Sequence, residues 1–209
     1  IDTLRLQTQA HYKSNASILN NVGVPQNLYQ SQLETATIRN VNKATNSITA
    51  GAVNTISSAG DNPVAVASTL SGLFDSVYAL HKKVDPKGAT ATASAQVYAA
   101  INEQLTRLPS NTKEALQATQ TIQAFLNTDQ AMKLDGAVRV KILDALDKKT
   151  NEFQKYQSFE LNNQLLNLQD GLLKGTATVA DADAMLAQIT VGLRTGAIDP
   201  STGTKFNSD

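Results

Sequence analysis

The sequence predicts an all-α fold, a multi-helix bundle with one unusually long helix. Three observations support this prediction. Apolar residues recur at steps of three, four or seven along most of the chain, which is the stripe of an amphipathic helix. One such stretch, starting at Gly136, continues for nearly forty residues without proline. Alternating apolar and polar residues, the pattern of a half-buried strand, do not occur over any useful length.

The longest periodic stretch runs from Asp135 to Lys174. Its apolar positions are Val138, Ile142, Leu146, Phe153, Tyr156, Leu165, Leu168 and Leu172. At 1.5 Å per residue such a helix reaches roughly 50–60 Å, which exceeds the width of a compact domain of this size. We therefore expect either one long helix on which shorter helices pack, or two helices that are broken near Ser158 to Asn163.

The first 60 residues contain two helical patterns. Ile1 to Val22 is weakly periodic, whereas Gln26 to Ile56 is more regular. The second pattern carries four asparagines, whose low helix propensity means that tertiary packing must hold the helix. The turn sequence from Gly60 to Pro63 then breaks the chain. Residues 1–60 are therefore predicted to form an N-terminal helical segment, either as a separate domain or as part of the domain that follows.

Residues 61–194 are predicted to form the helical bundle. Apolar stripes predict helices over Val64–Lys83 and Ala91–Leu108, and Pro109 ends the second of them. Ser110 is predicted to be the N-cap of the next helix because its hydroxyl can accept from a free backbone N–H. Short linkers between these helices favour antiparallel neighbours.

The C-terminal part of the chain contains a predicted capping box, with Thr178 followed by Asp181 three residues later. The helix that it begins should cover Val179–Leu193. Its expected core face consists of Ala182, Met185, Leu186 and Ile189. The turn-forming residues that follow predict an irregular, flexible tail over 195–209.

The composition disfavours several classes of function. The formal net charge is +0 and the pI is near 6.9, so the chain lacks the basic face with which a nucleic-acid binder neutralises phosphates. It has no cysteine for disulfides, thiolate catalysis or metal ligation. No apolar run approaches the length of a membrane span, so none is expected.

The expected environment is extracytoplasmic, meaning periplasmic, secreted or within a virion. Charged residues make up 17% of the chain, against roughly 25% in typical soluble domains, and neutral polar residues replace them. The chain begins with Ile1, which fits either a shortened chain or a mature product after removal of a leader. The helical pattern and the high content of Asn, Gln, Ser, Thr and Ala resemble those of internal virion proteins of phages and of exported bacterial helical proteins. The resemblance is one of composition and includes no shared motif.

Candidate chemical sites are few, and no cofactor or metal is expected. His11 and His81 lack the clustered carboxylates and histidines of a metal site. Asp181 and Asp183 could pair for acid–base work, but both lie in a first helical turn, where carboxylates offset the macrodipole. Nucleophile elbows and phosphate-binding loops are missing from the sequence.

The first functional hypothesis is a non-enzymatic structural or interaction protein that contacts a protein partner or itself through helix faces. Its candidate contact residues are Phe153, Tyr156, Phe159 and Phe206. Steps of three place the first three on a drifting face, so a narrow stripe cannot bury them all, and Phe159 is expected to remain for a partner.

The alternative hypothesis is an exported helical domain that binds a small molecule or peptide in a pocket between helices. Phe74, Tyr78 and Tyr98 are the candidate pocket residues. Pockets of this kind leave no sequence motif, so the hypothesis stays open at this stage. A third and weaker hypothesis is an enzyme whose active-site residues are dispersed along the sequence. The two histidines provide few candidates for a general base in such a site.

Overall fold

The structure, a computed structural model, describes residues 26–60 and 62–202. Six α-helices and one 3₁₀ turn account for most of this part of the chain. They are α1 (Gln26–Ala59), α2 (Pro63–His81), α3 (Ala89–Arg107), α4 (Lys113–Leu126), the 3₁₀ turn (Asp129–Lys133), α5 (Gly136–Leu173) and α6 (Val179–Thr195). The predicted all-α bundle with one unusually long helix is confirmed. The predicted helix Ile1–Val22, His11 and Phe206 lie outside the described residues.

Side-chain caps fix where several of these helices begin. Asn62 accepts hydrogen bonds from the backbone N–H groups of Val64 and Ala65, with Pro63 at the first helical position. Asp135 does the same for α5 by accepting from Ala137 and Val138. Each cap satisfies donors that a helix cannot pair internally, so these short polar residues start the helices at defined positions.

The predicted N-cap of α4, Ser110, is wrong by two residues. Thr112 is the N-cap, with extended backbone angles and a hydroxyl that accepts from the N–H of Ala115 at 3.3 Å. Ser110 still lies in the turn after Pro109, and its hydroxyl donates to the carboxylate of Glu152 at 2.7 Å. The sequence offered two hydroxyl residues, and the extended conformation that an N-cap requires falls on the second.

Helices α1 and α3 lie parallel, with α2 running antiparallel to both. Thr49 donates to the side-chain oxygen of Gln96 at 3.0 Å, and Ser57 donates to that of Gln104 at 2.8 Å. Both pairs are 47 residues apart, and a constant separation of this kind requires two helices that point the same way. The hydroxyl of Thr45 also lies 3.0 Å from Nε2 of His81, at the far end of α2.

The main core lies between α1, α2, α3, α4 and the first half of α5. Its residues with the least exposed side chains include Leu70, Val77, Val97, Ile101, Ile122 and Ile142. Val53 and Ile56 of α1 belong to the same core. The break near residue 60 therefore separates two helices that pack together, and the tertiary contacts needed to hold an asparagine-rich helix are present in its second half.

Helix α5 is continuous through Ser158 to Asn163, so the first of the two predicted alternatives is correct. Its 38 residues correspond to about 57 Å at 1.5 Å per residue. The buried positions are Ile142, Leu146, Phe153, Leu161 and Gly171. Their steps of four, seven, eight and ten make the buried face drift around the helix. The first half of α5 therefore faces the main core, and the second half faces α6.

A second, smaller core joins the far half of α5 to α6. It contains Leu161, Met185, Ile189 and Ile198, with Leu165, Leu168 and Leu193 packed against it. Ile198 lies in the predicted tail, yet it is 2% exposed, so the chain folds back at this point after the left-handed residue Gly196. The predicted core position of Leu186 is wrong because its side chain is 48% exposed.

One described helix, α2, is long and apolar enough to cross a membrane by length and composition alone. About 33% of its apolar window is buried in the bundle. Its residues Val66, Leu70, Leu73 and Val77 form the centre of the main core. One such helix is weak evidence for a membrane span, because the core helix of a soluble protein passes the same test.

Candidate contact surface on the distal arm

The far half of α5 and all of α6 form an antiparallel pair that extends past the main core. We call residues 156–173 of α5, together with α6, the distal arm. Two side-chain amides attach the end of α6 to the bundle. Gln154 donates to the carbonyl oxygen of Gly196 at 3.0 Å, and Gln120 of α4 donates to that of Thr195 at 3.1 Å. These bonds satisfy carbonyl groups that the end of a helix leaves unpaired.

Glycines allow close packing within the distal arm. A Cβ atom on Gly171 would lie 2.9 Å from the Cβ of Ala177, and one on Gly192 would lie 2.7 Å from Cγ1 of Ile198. Real Cβ atoms are not found so close to their neighbours. Both glycines interrupt helical patterns in the sequence. The sequence does not show that Ala177 and Ile198 occupy the space beside them.

An apolar row lies on the outer surface of the distal arm. Phe159, Leu166 and Leu173 are 64%, 55% and 89% exposed. Their seven-residue spacing places them on nearly one side of α5, because each seven-residue step rotates the position by only about 20°. The row lies roughly 120–160° around the helix from the buried Leu161, so α6 does not cover it. We call these three residues the outer row.

Amide side chains separate the apolar residues of the outer row. Asn162 and Asn163 lie between Phe159 and Leu166, and Gln169 and Asp170 lie between Leu166 and Leu173. Three of these four polar residues are exposed, and Asn163 is partly buried. Asp170 accepts from Nζ of Lys174 at 2.6 Å. Glu160 is the only charged residue of α5 between positions 156 and 169.

The structure separates the residues that were predicted to form a contact surface. Phe159 belongs to the outer row, and Tyr156 is 42% exposed near its edge. The prediction that Phe153 contacts a partner must be corrected, because Phe153 is 2% exposed and packs inside the protein. Side chains three residues apart point in different directions around a helix. Phe153, Tyr156 and Phe159 therefore span both the inner and the outer face of α5.

Sequence reasoning missed Leu166 and Leu173. The signal that could have found them is the seven-residue spacing from Phe159, a second stripe beside the buried one. Leu172 was assigned to the buried stripe instead, and it is 45% exposed.

Phe74, Tyr78 and Tyr98, the predicted pocket residues, lie at the main core or beside it. The ring of Phe74 stacks on that of Tyr78 with centroids 6.0 Å apart, and Phe74 is buried. Tyr78 and Tyr98 pack against the main core.

A groove of about 500 Å³ lies elsewhere, between α2 and the end of α4. Its lining residues are Pro63, Val64, Ala67, Ser68, Ser71, Ala124, Phe125, Thr128 and Gln130. Small side chains on both helices leave this space open, while Phe125 forms its apolar floor. None of the three predicted pocket residues lines it.

The charged groups that were considered for chemistry act as helix caps or lie apart. The N–H and the hydroxyl of Thr178 both donate to the carboxylate of Asp181, at 2.7 and 2.8 Å. These bonds lower the pKa of Asp181, the side-chain bond more than the backbone bond. The capping box predicted from the sequence is present. Among residues 26–60 and 62–202, no three His, Asp or Glu side chains form a group that could hold a metal ion.

The fold and this surface define the protein as an all-helical bundle with a projecting two-helix arm whose outer side carries a row of exposed apolar residues. The chain matches no protein-family model, no curated protein and no solved structure.

Proposed function

We propose that this protein is a non-enzymatic helical structural protein that assembles with further copies of itself through the outer row of the distal arm. The outer row carries the proposal. Three large apolar side chains, all at least 55% exposed, repeat every seven residues on one face of a helix. Seven-residue repeats are the spacing with which one helix packs along another.

The size of the outer row predicts a reversible assembly. Burying a large apolar side chain contributes about 1.5–3 kcal/mol, so six such side chains in a pair of arms, which begin about two-thirds exposed, contribute roughly 6–12 kcal/mol. Association costs about 4–15 kcal/mol in lost freedom of motion. The two amounts are similar, so the association depends on protein concentration.

The neutral, polar surface supports an extracytoplasmic or virion-like setting for this assembly. Charged residues are 17% of the chain and cancel in sign. At a net charge near zero, copies do not repel one another strongly, which favours association at high local concentration.

Size-exclusion chromatography with light scattering, at several protein concentrations, tests the proposal. We expect the mass to rise above 22.3 kDa as the concentration rises. Leu166→Asp should hold the protein at the monomer mass. Val140→Asp is the matched control, because Val140 lies on the same helix and is 56% exposed, close to the 55% of Leu166. A wild-type protein that stays at the monomer mass throughout would overturn the proposal.

The groove between α2 and α4 supports a second candidate function, the binding of a small apolar molecule or peptide side chain. Its apolar floor and its rim of Ser68, Ser71 and Thr128 hydroxyls are typical of a small ligand site. The fluorescence of an apolar dye such as anilinonaphthalene sulfonate tests it. Binding in the groove should be lost in Ala67→Phe and retained in Leu166→Asp. The opposite result would assign the dye to the outer row.

A further inference from the structure

We infer that two copies pair through the outer row in antiparallel orientation, with a two-fold axis that passes beside Leu166. This inference rests on the proposed function and adds to it the symmetry and register of the contact. It follows from the order of side chains along the exposed face of α5.

The order of residue types along the outer face is nearly the same in both directions from Leu166. Phe159 lies seven residues before it and Leu173 seven residues after it. Asn162 and Asn163 lie four and three residues before it, and Gln169 and Asp170 lie three and four residues after it. An apolar layer, an amide layer, a central leucine, an amide or acid layer and an apolar layer therefore follow one another symmetrically.

A surface with this symmetry is complementary to its own copy when the copy is turned end to end. Phe159 of each copy then meets Leu173 of the other, and the two Leu166 side chains meet at the axis. Between these apolar layers, Asn162 lies on the same flank as Gln169 of the other copy, and Asn163 lies on the same flank as Asp170. Amide N–H groups therefore meet carboxylate and amide oxygens, which satisfies polar groups that the contact would otherwise bury unpaired. A two-fold contact of this kind uses the same patch on both partners.

A parallel arrangement is less favourable. It brings the two Asp170 carboxylates to the same level, where they repel and only the exposed Lys174 of each helix offsets the repulsion. The antiparallel arrangement places these carboxylates at opposite ends of the contact, each beside an asparagine. The first half of the second copy's α5 then lies beyond the tip of the arm.

The weak charge of this face favours a second copy over a foreign partner. Between residues 159 and 173 the charged residues of α5 are Glu160 and Asp170, and Asp170 is paired with Lys174, so no strong acidic or basic pattern selects an oppositely charged surface. The face that best matches alternating leucine and amide layers at this spacing is another face with the same layers.

Single cysteine variants and a short bismaleimide cross-linker test the register. The chain contains no cysteine, so each introduced thiol is unique. We expect Leu166→Cys to cross-link with itself. Phe159→Cys and Leu173→Cys should each fail alone, since 14 residues of helix, about 21 Å, separate the two positions. A mixture of those two variants should cross-link. Val140→Cys is the control for random collisions, and circular dichroism checks that every variant is folded.

The outcomes separate the two proposals. Cross-linking of Leu166→Cys and of the mixture, several-fold above Val140→Cys, supports the antiparallel pair. Cross-linking of Phe159→Cys and Leu173→Cys alone, with no gain in the mixture, indicates a parallel pair; it overturns this inference while the proposed assembly stands. An oligomeric mass without cross-linking at any of the three positions also overturns it. A monomer mass at every concentration overturns both.

Discussion

Gly192 of α6 lies against Ile198, the residue that seals the second core. A Cβ atom at Gly192 would lie 2.7 Å from Cγ1 of Ile198 and closer still to its Cδ1. The N–H of Ile198 donates to the carbonyl oxygen of Gly192 at 3.1 Å, so the two backbones are held together. Ile198 is 2% exposed and has little room to move away.

Gly192→Ala should therefore destabilise the distal arm by about 1–3 kcal/mol, the usual cost of overpacking a filled core. Gly72→Ala is the matched control, because nothing lies within 4 Å of a Cβ atom at Gly72. That change should stabilise α2 by about 0.4–1 kcal/mol through lower chain entropy in the unfolded state. Thermal and urea unfolding measure both. Equal effects of the two substitutions would contradict the role of the close contact.

The pair of Ser57 and Gln104 should couple α1 to α3. Gln104 is 8% exposed, and its side-chain oxygen accepts from Ser57 at 2.8 Å. Ser57→Ala leaves the buried Gln104 oxygen without this partner and should cost about 1–3 kcal/mol. Gln104→Leu should cost less, because the exposed Ser57 hydroxyl still donates to the carbonyl oxygen of Val53 at 2.9 Å. The double variant should cost less than the sum of the two, with a coupling of about 0.5–1.5 kcal/mol.

Urea unfolding of the single and double variants measures that coupling. Thr106→Ala serves as a control, because the Thr106 hydroxyl donates to Asn102 of its own helix and is exposed. Strict additivity of Ser57→Ala and Gln104→Leu would show that the hydrogen bond does not join the two helices energetically.

Helix class and helix length could be predicted because both depend on local sequence. Periodic apolar residues and the Thr178–Asp181 box act within a few residues, and the structure contains both. The position of Thr112 was harder to predict, because two hydroxyl residues follow Pro109 and only the backbone conformation selects between them.

The faces that helices present to one another could not be predicted in the same way. Phe153 and Phe159 lie on one helix six residues apart, and they end up 2% and 64% exposed. Their difference depends on where α4 and α6 lie along α5, which local periodicity does not encode. The same limit applies to Phe74 and Tyr78, whose rings stack with centroids 6.0 Å apart, because the sequence does not show which aromatic side chains meet between helices.

The two cores should respond differently to truncation. Leu70 is fully buried in the main core, and Ile189 is 1% exposed in the second core. Leu70→Ala and Ile189→Ala should each cost about 2–5 kcal/mol locally. Hydrogen exchange should show faster exchange throughout α1 to α4 for Leu70→Ala, but only in α6 and the far half of α5 for Ile189→Ala. Loss of protection throughout the chain in both variants would mean that the arm and the bundle unfold as one unit.

The stability of the distal arm should also depend on pH through Asp181. Hydrogen bonds from the side chain and then the backbone N–H of Thr178 lower the pKa of Asp181 below its ordinary value of 3.8. The folded state therefore favours the carboxylate, and the resulting stabilisation is present above pH 3.8. It should be lost as the pH falls from that value through the lower pKa of the folded state.

Asp181→Asn should remove this dependence. Relative to the wild type, the variant should be less stable above pH 4, and the difference should shrink as the pH is lowered. Asp183→Asn is the control, because Asp183 lies in the same turn without these hydrogen bonds. This variant should lose stability at low pH in the same way as the wild type. Thermal unfolding of the full chain from pH 2 to 6, followed by circular dichroism, measures the difference. A constant gap between wild type and Asp181→Asn across this range would show that Thr178 does not hold the carboxylate in its charged form.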